Sequence, residues 1–415
     1  MSRIKDITLA DSGFQKIEWV RRNCPLLRSF MEEYSQSKPL RGIKVAVSIH
    51  LEAKTALLCQ TLRDAGAELF ITGSNPLSTQ DDVAAALVKD GMEVFAWYDC
   101  SEEEYYENIR LVLENNCQVI LDDGGDLTHM LHTEMQDKIP YVLGGCEETT
   151  TGILRLQAMA RKQELQFPMV MVNDARCKHF FDNRYGTGQS VFDGINRTTN
   201  LIVAGKTVVV AGYGWCGKGT AMRAKGLGAR VIITEIDPVK GIEAVMDGFD
   251  VMPMEEAAKT GDLFITVTGC CKVISEKEFA CMKDGAVLCN AGHFDVEVDM
   301  KTLRSLAVDR REMRKNIMGY QMPDGRWIYV LAEGRLVNLA AGDGHPAEIM
   351  DMSFAIQFMS ICYIAEHAAE VKAGKELLIP VPDVIDEFVA ERKLRMMGKT
   401  IDVLTAEQKE YLALE

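Results

Sequence analysis

The chain has 415 residues, of which 47% are apolar and 26% charged. At about 150 residues per domain this predicts two or three compact domains and excludes disorder and fibrous repeats as the main description. Acidic residues outnumber basic ones 61 to 46, for a formal net charge of −15, a balance that disfavours nucleic acid and anionic membranes as partners. Near the N-terminus only Ile7 to Ala10 forms an apolar run, and the longest apolar stretch, around Phe354 to Ala365, is broken by Gln357 and Ser360. No signal peptide or membrane span is expected, and the cytoplasm is the default compartment. The twelve cysteines are scattered without a CxxC pair, with Cys270 and Cys271 adjacent, which reads as reduced thiols. None of the seven histidines completes a short-spaced zinc cluster, so no bound metal is expected.

In chain order, Ile43 to Ser48 is a β-branched run, Leu51 to Ala65 a helix ending at Gly66, and Glu68 to Thr72 a short strand. The alternation continues with a helix over Asp81 to Lys89, a strand over Met92 to Trp97, a helix over Glu102 to Asn115 and a strand over Gln118 to Leu121. Such alternation predicts a parallel sheet covered by helices, with ligands at the carboxyl ends of the strands. There lie Ser48-Ile49-His50, Asp122 to Asp126 and Glu147 to Thr151. A second α/β system begins with the strand Thr207 to Ala211, followed by a helix over Thr220 to Gly226 and strands at Arg230 to Thr234, Leu263 to Thr268, Ala286 to Asn290 and Ile328 to Leu331. A long helix over Pro346 to Ala373, a segment punctuated by Pro380 and Pro382, and a charged helical tail complete the reading.

Directly after the strand Thr207 to Ala211 comes Gly212-Tyr213-Gly214-Trp215-Cys216-Gly217, and the next strand ends at Glu235. A glycine loop between strand and helix, with an acid about 20 residues on, is the pattern of a dinucleotide site. Gly212 permits the tight turn, Gly214 lets a pyrophosphate approach the backbone, Gly217 allows close helix packing, and Glu235 accepts from the ribose hydroxyls, favouring NAD over NADP. Lys218 is followed by Gly219, so the hydroxyl that holds magnesium in a nucleoside triphosphatase is absent.

Asp122, Asp123 and Asp126 around two glycines suit a metal, a general acid or base, or a solvated turn. Lys178, Asp182 and Asn183 form a second polar concentration; beside a cofactor, a lysine and a carboxylate suit proton abstraction from an alcohol, and elsewhere they make a surface ion pair. His50, His293 and His345 each follow an apolar strand or a glycine turn.

Together, Ser74 to Asp81, Leu121 to Leu127, Glu147 to Gly152, Phe181 to Gly186, Ala211 to Gly219, Ile232 to Pro238, Asn290 to Val296 and Leu331 to Leu339 resemble the signatures of the adenosylhomocysteinase family, in the family's order and over nearly the whole chain. The resemblance implies an α/β fold with two doubly wound domains and a short C-terminal arm. The substrate domain would be residues 1–185, completed by about 346–379; the Rossmann NAD domain 186–345; and an oligomerisation arm 380–415 would serve a homotetramer.

The implied reaction is hydrolysis of S-adenosyl-L-homocysteine to adenosine and homocysteine through oxidation of the 3′-hydroxyl by tightly held NAD, elimination, and addition of water. By the same resemblance Lys178 and Asp182 bind and deprotonate the 3′-hydroxyl and Glu148 holds the ribose hydroxyls. His50 and Asp123 move protons at the 5′ position. Thr149, Thr150, Thr151, Asn183, His293, Gly292 and Asn338 line the nicotinamide and its ribose, with Gly212, Gly214, Trp215, Cys216, Gly217, Glu235 and Lys240 along the rest of NAD. Thr79, Glu52, Lys54, Asp343 and His345 face the substrate. An enolate beside a ketone needs a cation such as Lys178, in a closed, dry site.

The sequence departs from the family at Thr187, where a cysteine is common, at Lys240, where an asparagine is common, and at Asp343, where a methionine is common. Its C-terminal Tyr411 to Glu415 lacks the lysine and tyrosine that reach a neighbour's NAD, from which faster cofactor exchange is expected. Glu52 and Lys54 stand where threonine and glutamine or glutamate are usual. Such a charged pair matches the pairing edge of either adenine or hypoxanthine, leaving S-inosylhomocysteine as the alternative substrate, or is an ion pair that never touches the base. A dehydrogenase of small hydroxy acids would leave Asp123, Glu148 and Lys178 to Asn183 unexplained, and a non-enzymatic regulatory homologue would be expected to carry a long polar N-terminal extension.

Overall fold

Side chains along a strand point alternately to opposite faces, and here both faces are apolar. In the computed structural model, which describes residues 2–374 and 376–413, strand β1 (Lys44–Ser48) sends Val45 and Val47 into one core and Ala46 into another. Six further strands complete the sheet, and all but β5 repeat the division: β2 (Glu68–Thr72), β3 (Glu93–Phe95), β4 (Val119–Asp122), β5 (Gly144–Glu147), β6 (Met169–Met171) and, from far along the chain, β15 (Leu378–Pro380). All pair in parallel, in the order β15-β6-β5-β4-β1-β2-β3. A parallel sheet buried on both faces needs this near-continuous apolar character.

The second sheet follows the same rule. Val208 and Val210 of β7 (Thr207–Ala211) enter one core and Val209 the other. Its order is β12-β13-β14-β11-β10-β7-β8-β9, with β8 (Arg230–Thr234), β9 (Asp250–Val251), β10 (Leu263–Thr266), β11 (Ala286–Asn290) and β14 (Trp327–Leu331) parallel to β7. An antiparallel edge of β12 (Asp309–Arg314) and β13 (Ile317–Gln321) had no counterpart in the sequence reading. Both sheets are doubly wound, and in each the order reverses beside the first strand, between β1 and β4 and between β7 and β10. Ligands of open α/β sheets bind at such points.

The chain passes from the first sheet to the second through a π-helical turn, Asp182–Gly186, and returns into the helix Ala347–Glu366. That helix packs in the core of the first sheet, with Phe354, Ala355, Ile356, Phe358, Ile361 and Ile364 buried. The single long helix expected over Pro346 to Ala373 is broken at His367, which leaves helical geometry (φ −105°, ψ 21°) and turns its ring to Glu370. Pro380 pairs with Met171, and the helix Asp383–Met396 packs on the helices Ala347–Glu366 and Pro25–Ser37. The first part of the expected arm is therefore built into the first sheet's layers, because Ile385 and Val389 join its core. Beyond it Ile401, Val403, Tyr411 and Leu412 are exposed, while Leu414 and Glu415 lie outside the described residues.

Asp351 ties these layers together. Its carboxylate accepts from Leu26 N (3.1 Å) and Leu27 N (3.0 Å) at the start of the helix Pro25–Ser37 and from Lys393 Nζ (2.8 Å). Removing one partner of a buried ion pair leaves the other uncompensated, so Asp351→Ala is expected to lower stability by about 3 kcal/mol. A lower midpoint in urea denaturation checks this.

Candidate active site

Between the two switch points lies a cavity of about 1380 Å³. Of the site residues expected from the sequence, all but Thr79, Gly217 and Asp343 line it. Register explains the convergence: Ser48, Asp122 and Glu147 are aligned neighbours at the ends of β1, β4 and β5, so the residues that follow each of them emerge at one edge.

At the end of β1, His50 Nδ1 meets Ser78 Oγ at 2.8 Å and His50 Nε2 lies 3.5 Å from Asp123 Oδ2, which also accepts from Ser74 Oγ (3.0 Å). Burial lowers the His50 imidazole to about 4 although Asp123 pulls the other way, so the ring is neutral at neutral pH. His293 reaches across from the second sheet, with Nδ1 4.0 Å from Asp123 Oδ1. Its ring lies against Gly124, where a Cβ would sit 2.5 Å from Nε2. The three potential ligand atoms of His50, Asp123 and His293 lie within 4.8 Å of one another, a cluster that local histidine spacing gave no sign of. The aspartates of the β4 turn have separate tasks. Asp122 is buried and holds Thr128 through N and Oγ1, both at 2.8 Å, while Asp126 pairs with Arg155 at 2.7 Å.

Lys178 stands at the centre of a second cluster. Its Nζ lies 3.4 Å from Asp182 Oδ2 and 3.6 Å from Glu148 Oε1, and donates to Asn183 Oδ1 (2.9 Å) and Asn173 Oδ1 (3.2 Å). Lys178, Asp182, Glu148 and Asn183 are all buried, so the surface ion pair that the sequence allowed is ruled out. Burial opposes the charged lysine, but Asp182 and Glu148 outweigh it and hold the ammonium group above its ordinary range. Burial would likewise raise Asp182, yet Lys178, His345 and Ser353 hold its carboxyl well below the usual range. Glu148 goes the other way: burial raises it to about 7 against the pull of Lys178. His345 Nδ1 bonds Asp182 Oδ1, and its Nε2 faces Thr187 Oγ1 at 3.3 Å, so one imidazole closes both chain crossings.

The short helix Arg176–His179 that carries Lys178 is held from the C-terminal region. Asp386 accepts from Arg176 N (2.6 Å) and Cys177 N (2.8 Å), a contact absent from the sequence reading. Ser74, Ser78 and Asn173 were also missed as partners, and nothing local to them signals the contacts. Glu52 and Lys54 are buried and paired (Nζ–Oε2 2.7 Å), and Lys54 Nζ donates to the Asp343 carbonyl at 2.8 Å. Asp343 therefore faces this wall through its backbone, while its side chain is exposed (84%). Thr79 is buried beside Ser78 and off the cavity wall.

On the second sheet, Gly212 adopts φ +99° and a Cβ on Gly217 would lie 1.9 Å from Gly212 O, whereas a Cβ on Gly214 meets no protein atom within 4 Å. The helix Trp215–Gly226 begins without a side-chain cap, leaving its first N–H groups to a ligand, as a dinucleotide pyrophosphate requires. Glu235 lies opposite, joined to the loop through Tyr213 N (2.6 Å), and Lys240 Nζ is 3.8 Å from Asp237. Asn338 Oδ1 is buried without a partner on the cavity wall, an acceptor for a bound polar group. The residues present thus fit NAD. Thr149, Thr150 and Thr151 begin the helix Thr150–Arg161, which also has no side-chain cap. Cys216 Sγ lies 3.6 Å from Thr187 Oγ1.

A Rossmann nucleotide loop facing a buried lysine–carboxylate cluster across one cavity defines an NAD-binding α/β enzyme. Comparison with known proteins narrows the class. Residues 1–143 match the family profile "S-adenosyl-L-homocysteine hydrolase" and residues 183–344 its "NAD binding domain". An S-inosyl-L-homocysteine hydrolase of Methanococcus maripaludis is 54% identical over 413 residues, covering 100% of this chain and 99% of that protein. An adenosylhomocysteinase of Aquifex aeolicus is 54% identical over 99% of this chain and 98% of its own length. An S-inosyl-L-homocysteine hydrolase of Methanocaldococcus jannaschii is 52% identical over the same shares. The chain belongs to the S-adenosyl-L-homocysteine hydrolase family, and its second sheet is the NAD-binding domain.

Because Gly217 has no room for a Cβ, Gly217→Ala is expected to abolish cofactor binding, while Gly214→Ala keeps the fold and weakens NAD. Equilibrium dialysis with NAD, beside circular dichroism for the fold, distinguishes the two outcomes.

Proposed function

We propose that the protein catalyses the reversible hydrolysis of S-adenosyl-L-homocysteine to adenosine and L-homocysteine. The observation that carries this reading is the Lys178 cluster: a cation and two carboxylates, buried, on the wall of the cavity that the dinucleotide loop also lines. Bound NAD supplies a hydride acceptor that returns the hydride at the end, so the net change is hydrolysis.

Lys178 and Asp182 bind the 3′-hydroxyl, whose proton goes to the Asp182 carboxylate beside the Lys178 ammonium group, and Glu148 holds the ribose hydroxyls. Once the 3′ carbon is a ketone, the ammonium group of Lys178 stabilises the negative charge that forms when the 4′ proton leaves. Asp123 and His50, in contact at the 5′ end, take up the 4′ proton and pass it to the departing sulfur, then take a proton from the entering water and return it to the 4′ carbon. His293 and His345 close the cavity from the second sheet and from the returning crossing. Asn183, Asn338 and Thr149 to Thr151 orient the nicotinamide end. The assembly is a homotetramer in the cytoplasm, a reading supported by the exposed apolar residues of the C-terminal segment and by twelve free cysteines.

Lys178→Ala and Asp182→Ala are expected to abolish reduction of bound NAD on addition of adenosine, a loss of at least about a thousandfold in rate for residues that act in the chemical step. Appearance of the near-ultraviolet absorbance of reduced nicotinamide at the parental rate in these variants would remove both residues from their roles.

One observation bears on a second substrate. Lys54 spends two of its three donors on Glu52 and the Asp343 carbonyl, leaving one N–H for the cavity. That donor suits a ring nitrogen of adenine or the exocyclic oxygen of hypoxanthine, and the relatives include hydrolases named for both nucleosides. The adenosyl thioether is expected to have the higher kcat/KM, and Lys54→Gln to change the ratio of the two substrates by about tenfold or more. An unchanged ratio excludes Lys54 from base recognition, and a parent enzyme that prefers the inosyl thioether establishes the second substrate.

A further inference from the structure

By length and composition the helix Ala347–Glu366 is apolar enough to cross a membrane, yet it is a core helix, 67% buried. Within it Asp351, Ser353, Gln357 and Ser360 are completely buried. Buried polar groups cost free energy unless they are paired. Asp351 is accounted for by the helix start at Leu26 and by Lys393, whereas Ser360 Oγ has no hydrogen-bond partner among the described residues.

Ser353 and Gln357 stand one helical turn apart and so lie one above the other on a single face. Ser353 Oγ donates to Asp182 Oδ2 at 2.8 Å, and Gln357 Nε2 donates to Glu148 Oε2 at 2.5 Å. The same Asp182 oxygen, and the other oxygen of Glu148, face Lys178 Nζ at 3.4 and 3.6 Å. Each carboxylate is therefore held between the lysine on one side and the helix on the other. Neither Ser353 nor Gln357 lines the cavity. Gln357 also leaves its carbonyl oxygen buried without a partner, a burden that native interiors carry at few places.

We infer that Ser353 and Gln357 are positioning residues that favour the ionised forms of Asp182 and Glu148 and turn them toward Lys178, and so set where the proton resides when the alcohol is oxidised. The inference rests on the reading of the Lys178 cluster as the site of that oxidation. A donor to an ionised carboxylate favours the charged form. Glu148 is the sensitive member, because burial places it at about 7. Besides Lys178 and Asp182, the charged or titratable groups around this pair are Asp123 at the end of β4, Glu147 at the end of β5, Cys146 on the same strand, Cys216 beside Lys178 and Asp182 and His345 against Asp182. None of them is a fixed donor to Glu148, and Gln357 is.

The test uses the holoprotein mixed with adenosine and, separately, inosine, with formation of reduced nicotinamide followed from acid to alkaline pH. Gln357→Met keeps the length and removes the donor. Glu148 then binds its proton more tightly, so the half-maximal pH of reduction is expected to rise by about one unit, with the rate falling about ten- to hundredfold and KM for the nucleoside unchanged. Ser353→Ala is expected to lower the rate with the same split. Gln357→Glu places a second carboxyl beside the first and moves the profile in the same direction, which keeps the test open should Gln357→Met fold poorly. Ser360→Ala, on the same buried helix, is expected to leave the profile as it is. Parental pH profiles in all the Ser353 and Gln357 variants overturn the inference. A parent protein that neither nucleoside reduces overturns the reading of the cluster itself, and the inference with it.

Discussion

An ammonium group taken out of water loses several kcal/mol of hydration, and two carboxylates brought in beside it lose as much again. At Lys178 this cost is offset only because every partner is already in place: Asp182 and Glu148 for charge, Asn173 and Asn183 for the remaining donors. Much of the protein serves to hold those partners. The carboxyl end of β5 delivers Glu148, the crossing between the sheets delivers Asp182 and Asn183, and Asp386 fixes the first turn of the short helix that carries the lysine. Loss of any one of them would leave a buried polar or charged group short of a partner.

The two sheets contribute different chemistry for a topological reason. In each the strand order reverses beside the first strand, opening a crevice between adjacent loops. The first sheet's crevice is lined with titratable side chains, His50 and Asp123, whereas the second sheet's offers backbone N–H groups and a glycine turn. His293 and His345 join the halves: one lies over Gly124, and the other bonds Asp182 and faces Thr187.

The core helix Ala347–Glu366 shows how far a site extends behind its visible wall. Its apolar residues fill the first sheet's core, and its buried polar residues each have a position that the hydrophobic pattern does not explain. Three of them reach charged groups: Asp351 meets Lys393 and the helix start at Leu26, Ser353 meets Asp182, and Gln357 meets Glu148. Packing and electrostatics are thus carried by the same element, so the substrate-side carboxylates inherit the rigidity of the core.

Local sequence was enough for the strands of both sheets that carry strong apolar runs, such as Thr207–Ala211 and Glu68–Thr72, and for the glycine loop with Glu235, because strand, turn and helix signals there act within a few residues. The family signatures likewise marked His50, Asp123, Glu148, Lys178 and Asp182. Tertiary structure alone decided which of these side chains meet. The contacts of His293 with Asp123, Asp386 with Arg176 and Cys177, and Gln357 with Glu148 all join residues far apart in the chain. It also decided that Asp343 turns its carbonyl to Lys54 and its carboxylate to solvent, and that Pro380 enters a sheet. Periodicity reports which face of an element is buried, but it says nothing of which polar group on another element waits there. That pairing is fixed only when the layers pack and each buried donor must find its acceptor.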